Sequence, residues 1–143
     1  MRFWDTSALL SLVLRDEHYS RACKWLLDDQ EQQITSSLVV FEAENRLRAL
    51  LLNRDLTVEE HQQRLTALRL LLSAKLIHEK HLRNTRSLSA DCRRLVTLIS
   101  PATTHGTMDV IHVASARLMK AGTFITLDRN QRGLAKNSDM AVV

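Results

Sequence analysis

The chain has 143 residues, of which 45% are apolar and 25% charged, and its formal net charge is +4 at neutral pH. Such values suit one soluble domain spanning residues 1–143, large enough for a real hydrophobic core. They exclude a membrane-spanning chain, because the longest apolar runs, such as Leu38-Val39-Val40-Phe41, fall far short of the roughly 20 residues a membrane helix requires. The start Met1-Arg2-Phe3-Trp4-Asp5 meets an acid within five residues and does not read as a signal peptide. Two cysteines, Cys23 and Cys92, are too few for a disulfide scaffold, so they read as reduced thiols of a cytoplasmic protein.

In chain order, Arg2–Asp5 is a short apolar strand that stops at a carboxylate, and Thr6–Leu14 is a helix apolar on most sides. Tyr19–Asp28 follows as a helix with Ala22, Leu26 and Leu27 on one flank, then a strand at Gln33–Ser36. Leu38–Asn53 carries Val40, Ala43, Leu47 and Leu50–Leu51 at helical spacing. Thr57-Val58-Glu59-Glu60 has the form of a capping box that opens a helix through Leu65, Leu68 and Leu72. Lys75–His78 is the next strand candidate, and Thr85–Leu98 the next helix. Residues 101–106 form a loop, Thr107 caps a helix over Met108–Lys120, and Ala121-Gly122 ends that helix through a left-handed turn. Strands at Thr123–Leu127 and Met140–Val143 complete the chain. Strands alternating with helices predict an α/β fold with a mainly parallel sheet covered on both faces. Only three Gly and one Pro are present, which predicts a helix-rich chain with short loops.

Four acids occupy suggestive places. Asp5 and Asp128 each end an apolar strand, 123 residues apart, while Glu42 and Asp109 fall at or near helix starts. In an open parallel sheet, sites form outside the carboxyl ends of the strands. Crowded carboxylates repel one another, and a bound Mg²⁺ or Mn²⁺ relieves that repulsion because hard cations prefer oxygen ligands. A set of Asp and Glu without obligatory His or Cys points to metal-dependent phosphodiester hydrolysis. Each acid also has an ordinary explanation. Asp5 and Asp109 suit helix caps, Glu42 and Arg46 are spaced as a surface ion pair, and Asp128 suits a turn. The positive charge is clustered at Arg83, Arg86, Arg93 and Arg94, and again at Arg129, Arg132 and Lys136. Such groups beside an acidic pocket would hold a polyanion, or else form a solvated helix face.

Together the four segments resemble the PIN-domain family, specifically its VapC-like ribonuclease toxins. The resemblance rests on Phe3-Trp4-Asp5-Thr6-Ser7-Ala8, Ser36-Ser37-Leu38-Val39-Val40-Phe41-Glu42, Asp109-Val110-Ile111-His112-Val113-Ala114-Ser115-Ala116 and Thr126-Leu127-Asp128, in order along nearly the whole chain. It implies a three-layer α/β/α sandwich and Mg²⁺- or Mn²⁺-dependent endonucleolytic cleavage of RNA. It further implies that Asp5, Glu42, Asp109 and Asp128 are the metal-binding catalytic acids, with Ser7 and Thr126 orienting them. Arg83, Arg86, Arg129 and Arg132 are then the candidates for RNA contact. Homodimerisation and inhibition by a cognate antitoxin of a type II toxin–antitoxin pair are the family's further implications. Glu44 lies two residues beyond Glu42, so the register of the second segment is open, and Asn130 leaves the number of metal ions open.

Two other readings compete: a non-catalytic PIN-like module that binds RNA or protein, and a response-regulator-like signalling domain with an acidic pocket. His78-Glu79-Lys80-His81 has its histidines three apart rather than four and is set aside as a zinc motif. His112, among Val113, Ala114 and Ala116, reads as a structural hydrogen-bonding residue rather than a ligand. The leucine-rich stretches Leu47–Leu52 and Leu65–Leu72 read as core, with some excess for a dimer face or antitoxin groove.

Overall fold

A computed structural model describes residues 1–28, 31–82, 84–98 and 105–143. Five strands form one parallel sheet: β1 (Arg2–Trp4), β2 (Gln33–Ser36), β3 (His78–Lys80), β4 (Thr123–Ile125) and β5 (Ala141–Val142), in the spatial order β3-β2-β1-β4-β5. Seven helices connect and flank them among the described residues: α1 (Thr6–Leu14), α2 (Tyr19–Leu26), α3 (Ser37–Leu52), α4 (Val58–Ser73), α5 (Thr85–Leu98), α6 (Thr107–Leu118) and α7 (Arg129–Lys136).

The strand order explains the layers. From β1 the chain moves outward to β2 and β3, then returns to β4 on the other side of β1 and moves outward to β5. Right-handed crossovers in opposite directions place helices on opposite faces. Accordingly α1 packs against α2, α3 and α4, while α6 packs against α5 and α7. The result is the expected α/β/α sandwich, and the reversal of direction beside β1 creates a crevice at the carboxyl ends of β1 and β4.

The central strands are buried on both sides, which is why they are short apolar runs rather than alternating ones. Phe3, Trp4, Phe124 and Ile125 are fully buried, and Phe3 pairs in register with Phe124, their rings stacked at 5.5 Å. Trp4 satisfies its indole N–H on Gln33 Oε1 at 2.7 Å. Edge strand β3 begins three residues later, and ends two later, than the Lys75–His78 expected. Its apolar residue Ile77 is buried in the connection, whereas an edge needs only one neighbour and tolerates Glu79 and Lys80.

The capping box at the start of α4 forms as expected, Glu60 N–H donating to Thr57 Oγ1 and Thr57 N–H to Glu60 Oε2. Helix α6 differs at both ends. Gly106 is its N-cap and Thr107 its first residue, and the left-handed residue that ends it is Lys120 (φ 57°), not Gly122. The turn closes two residues early because Ala121 N–H already reaches the Ala116 carbonyl. Residues 101–104 of the expected loop, and Arg83, lie outside the described residues. Helix α7 was not anticipated; residues 129–136 carry Asn130 and Gly133, and their few apolar groups hide the helical period.

Candidate functional site

Three of the four acids reach the crevice from the start of a helix, and Glu42 reaches it from the second turn of α3. Asp5 follows β1 and is the N-cap of α1, its Oδ1 accepting from Ala8 N–H at 2.9 Å. Asp128 follows β4 and is the N-cap of α7, accepting from the N–H groups of Asn130 and Gln131 at 2.7 and 3.0 Å. Asp109 lies in the first turn of α6, where its Oδ2 accepts from Gly106 N–H at 3.0 Å. A Cβ at residue 106 would lie 3.1 Å from that oxygen, so glycine leaves room for the carboxylate to fold back. Capping is therefore compatible with a place in the site: a carboxylate can hold its helix and still face the crevice.

The four acids line one open pocket of about 190 Å³, together with Thr6, Ser7, Leu10, Arg46 and Gln131. Glu44 faces elsewhere, into a groove with Arg48 and Leu51, whereas Glu42 lines the pocket with the other three acids. Ser7 and Thr126 also meet at Asp5. Ser7 Oγ lies 2.9 and 3.0 Å from the two carboxylate oxygens, and Thr126 Oγ1 donates to Oδ2 at 2.8 Å. The same hydroxyls receive backbone N–H groups, Ser7 from Leu127 and Thr126 from Asp128.

Asp5 is fully buried, and the neighbours that bond it are neutral. Burial pushes its pKa up to about 6, against the opposing pull of the Ala8, Thr126 and Ser7 hydrogen bonds. Glu42 behaves oppositely. His112 Nε2 lies 2.7 Å from its Oε2, and that bond holds the carboxyl below its usual range, aided by the Thr6 hydroxyl. Arg46 is not ion-paired with Glu42 but lines the same pocket.

The basic candidates divide. Arg129 is exposed and Arg86 is exposed on the first turn of α5, and neither lines the pocket. Arg132 is half-buried and donates to the Thr126 carbonyl at 3.0 Å, so it braces the end of β4. Residues that the sequence reading did not assign to the site are Thr6, Arg46 and Gln131. Gln131 had a signal: Asp128-Arg129-Asn130-Gln131 has the spacing of a capping box and marks the start of α7. His112 is fully buried and bonds Glu42, as a structural hydrogen-bonding residue would.

Among the described residues no three His, Cys, Asp or Glu side chains are grouped tightly enough to hold a metal ion by themselves. The donor set nonetheless suits a hydrated hard cation. All four acids offer oxygen around an open pocket, Asp5 has no positive group bonded to it, and Mg²⁺ takes only one or two carboxylates while keeping waters.

Residues 2–137 match the PIN domain. The chain belongs to the PIN-domain family. Comparison with curated proteins gives no match. Among solved structures, FitAcB from Neisseria gonorrhoeae superposes with a TM-score of 0.71 at 20% identity, covering 99% of this chain and 96% of that one. VapBC2 from Rickettsia felis, bound to a DNA fragment from its promoter, gives 0.70 at 14% identity, covering 99% and 96%. VapC20 from Mycobacterium tuberculosis, a sarcin–ricin-loop-cleaving toxin, gives 0.67 at 16% identity, covering 93% and 94%. At such identities the likeness is one of fold, and this PIN domain shares that fold along nearly its whole length. No helix among the described residues is long and apolar enough to cross a membrane.

Proposed function

We propose that this PIN-domain chain is a metal-dependent endoribonuclease and the toxin of a type II toxin–antitoxin pair. The observation that carries the reading is the meeting of Asp5, Glu42, Asp109 and Asp128 in one pocket at the switch of strand direction. A binding module has no need of a fully buried carboxylate without a cationic partner, and such a group costs stability unless it serves something.

Asp5, Asp109, Glu42 and Asp128 would hold Mg²⁺ or Mn²⁺, Asp5 and Asp109 being the surest ligands. When bound, that ion would supply Lewis acidity toward a phosphoryl oxygen and lower the pKa of a coordinated water, the source of the nucleophile. The chain's own groups do the rest. Ser7 and Thr126 fix the Asp5 carboxylate, His112 and Thr6 keep Glu42 ionised and aimed, and the caps of α1, α6 and α7 hold the acids in register. Arg46 at the pocket, and Arg86 and Arg129 on exposed surface, offer positive charge to an RNA backbone.

The toxin assignment draws support from structures of similar fold that are toxins or toxin–antitoxin complexes by name, VapC20, VapBC2 and VapBC-1. Exposed apolar side chains on α3 and α4, including Phe41, Leu52 and Leu70, are candidates for antitoxin or homodimer contact. A concentration-independent monomeric mass by light scattering would rule out the dimer.

The deciding experiment is cleavage of a panel of RNAs, structured tRNA included, with and without Mg²⁺ or Mn²⁺. Identically purified Asp109→Asn protein is the control. Cutting by wild type alone, and only with metal, is the expected result. Metal binding without cutting of any RNA favours the binding module; absence of metal binding removes the basis of the assignment.

A further inference from the structure

Gln131 occupies the third position of α7, where a capping-box residue turns back onto the N–H of its own N-cap. It does not do so here, because Asp128 N–H is already taken by Thr126 Oγ1 at 3.0 Å. The side chain crosses instead to α6, where its Nε2 donates to Asp109 Oδ1 at 2.9 Å. Its backbone N–H meanwhile donates to Asp128 Oδ1 at 3.0 Å. One residue thus ties together two acids that the chain supplies from different helices.

The other end of the amide is the unusual part. Gln131 is 5% exposed and lines the acidic pocket, yet its Oε1 is buried without a hydrogen-bond partner. A buried carbonyl oxygen left unmatched costs roughly 1–3 kcal/mol. Turning the amide over does not help, since it would aim an oxygen at the Asp109 carboxylate and leave the NH₂ unmatched instead. The present orientation is therefore dictated by Asp109, and it leaves a neutral acceptor unmatched on a residue that lines the pocket. Such an acceptor suits a donor or a cation; it repels a phosphate oxygen, which only accepts.

We propose that Gln131 is a positioning residue that clamps Asp109 and offers Oε1 as a further neutral oxygen to the hydration shell of a divalent cation. This rests on the metal-dependent reading of the pocket given above. Partners that orient metal-binding carboxylates typically matter 10- to 100-fold for affinity.

The test is Mn²⁺ binding to wild type and Gln131→Met, followed by the electron paramagnetic resonance of free Mn²⁺. Methionine fills similar space, keeps the backbone N–H that caps α7, and removes both amide functions. The expected result is Mn²⁺ affinity weakened about 10- to 100-fold, with an unchanged or higher melting temperature in the absence of metal. If the variant cuts RNA, raising Mn²⁺ should restore its kcat, which a purely structural defect would not allow. Equal Mn²⁺ affinity in the two proteins overturns the proposal while leaving the metal site standing. No Mn²⁺ binding by wild type overturns the metal reading itself. Should Gln131→Met fail to fold, Gln131→Glu serves: Mn²⁺ should raise its melting temperature by more than it raises that of wild type. An equal or smaller rise overturns the proposal.

Discussion

Thr126 Oγ1 donates to Asp5 Oδ2 at 2.8 Å, joining residues 121 positions apart at the ends of neighbouring parallel strands. The bond exists because β1 and β4 run in register and stop together, so the residues that follow them share one crevice. Thr126 also accepts Asp128 N–H at 3.0 Å. One hydroxyl thereby fixes an acid on each side of the strand reversal.

Thr126→Val removes that hydroxyl at nearly constant volume. It leaves Asp128 N–H and a buried carboxylate oxygen each short of a partner, a loss of about 1–3 kcal/mol. Urea unfolding should register this as a lower midpoint at unchanged slope. If cleavage is the function, its rate should fall as well, because Asp5 loses an anchor.

Asp5 makes stability depend on pH in an unusual direction. Its folded pKa of about 6 lies above the ordinary 3.8, so the folded state binds the proton more tightly. The contribution is fully present below pH 3.8 and lost as pH rises through 6. Its full loss is on the order of 2–3 kcal/mol. Asn at residue 5 can still cap α1 and cannot ionise. Asp5→Asn should therefore be more stable than wild type at pH 8 without divalent cations, with the gap closing toward pH 4. Thermal melts of both proteins across that range would decide it, and a gap that is flat with pH would contradict the assigned origin.

Much of this was readable beforehand because the signals are local. Strands buried on both faces write themselves as apolar runs, and an acid at the end of such a run stands out, as at Asp5 and Asp128. The capping box at Thr57 and Glu60 is likewise a four-residue pattern. Edge strand β3 was misplaced because its residues are polar and its position is set by pairing with β2. Gln131 and Thr6 were missed as site residues for a related reason. Nothing nearby in sequence says that an amide on α7 will meet an acid on α6, or that a hydroxyl on α1 will meet one on α3.

Glu42 has the opposite pH behaviour to Asp5. Its folded pKa is lowered, chiefly by the His112 hydrogen bond, so its stabilising contribution is present above pH 4.5 and lost as pH falls through the lowered value. His112→Phe keeps a ring in a fully buried site and removes the bond. The Glu42 carboxyl should then titrate closer to the ordinary glutamate range, read from its carboxyl ¹³C shift. An unchanged titration would mean that the Thr6 hydroxyl and the Arg46 charge hold it without His112.

Arg129 and Arg132 should separate binding from stability. Arg129 is exposed, so Arg129→Ala should leave the melting temperature nearly unchanged. If its charge contacts RNA phosphate, affinity should weaken and the salt dependence, as log Kd against log salt, should become shallower by about 1. Arg132 is half-buried and its guanidinium donates to the Thr126 carbonyl. Arg132→Ala should cost about 1 kcal/mol of stability and leave the salt slope unchanged. Filter binding of RNA to the Asp109→Asn background, in which cleavage should be absent if Asp109 is catalytic, measures both slopes. A shallower slope for Arg132→Ala alone would move the RNA contact to that residue and make its bond to Thr126 secondary.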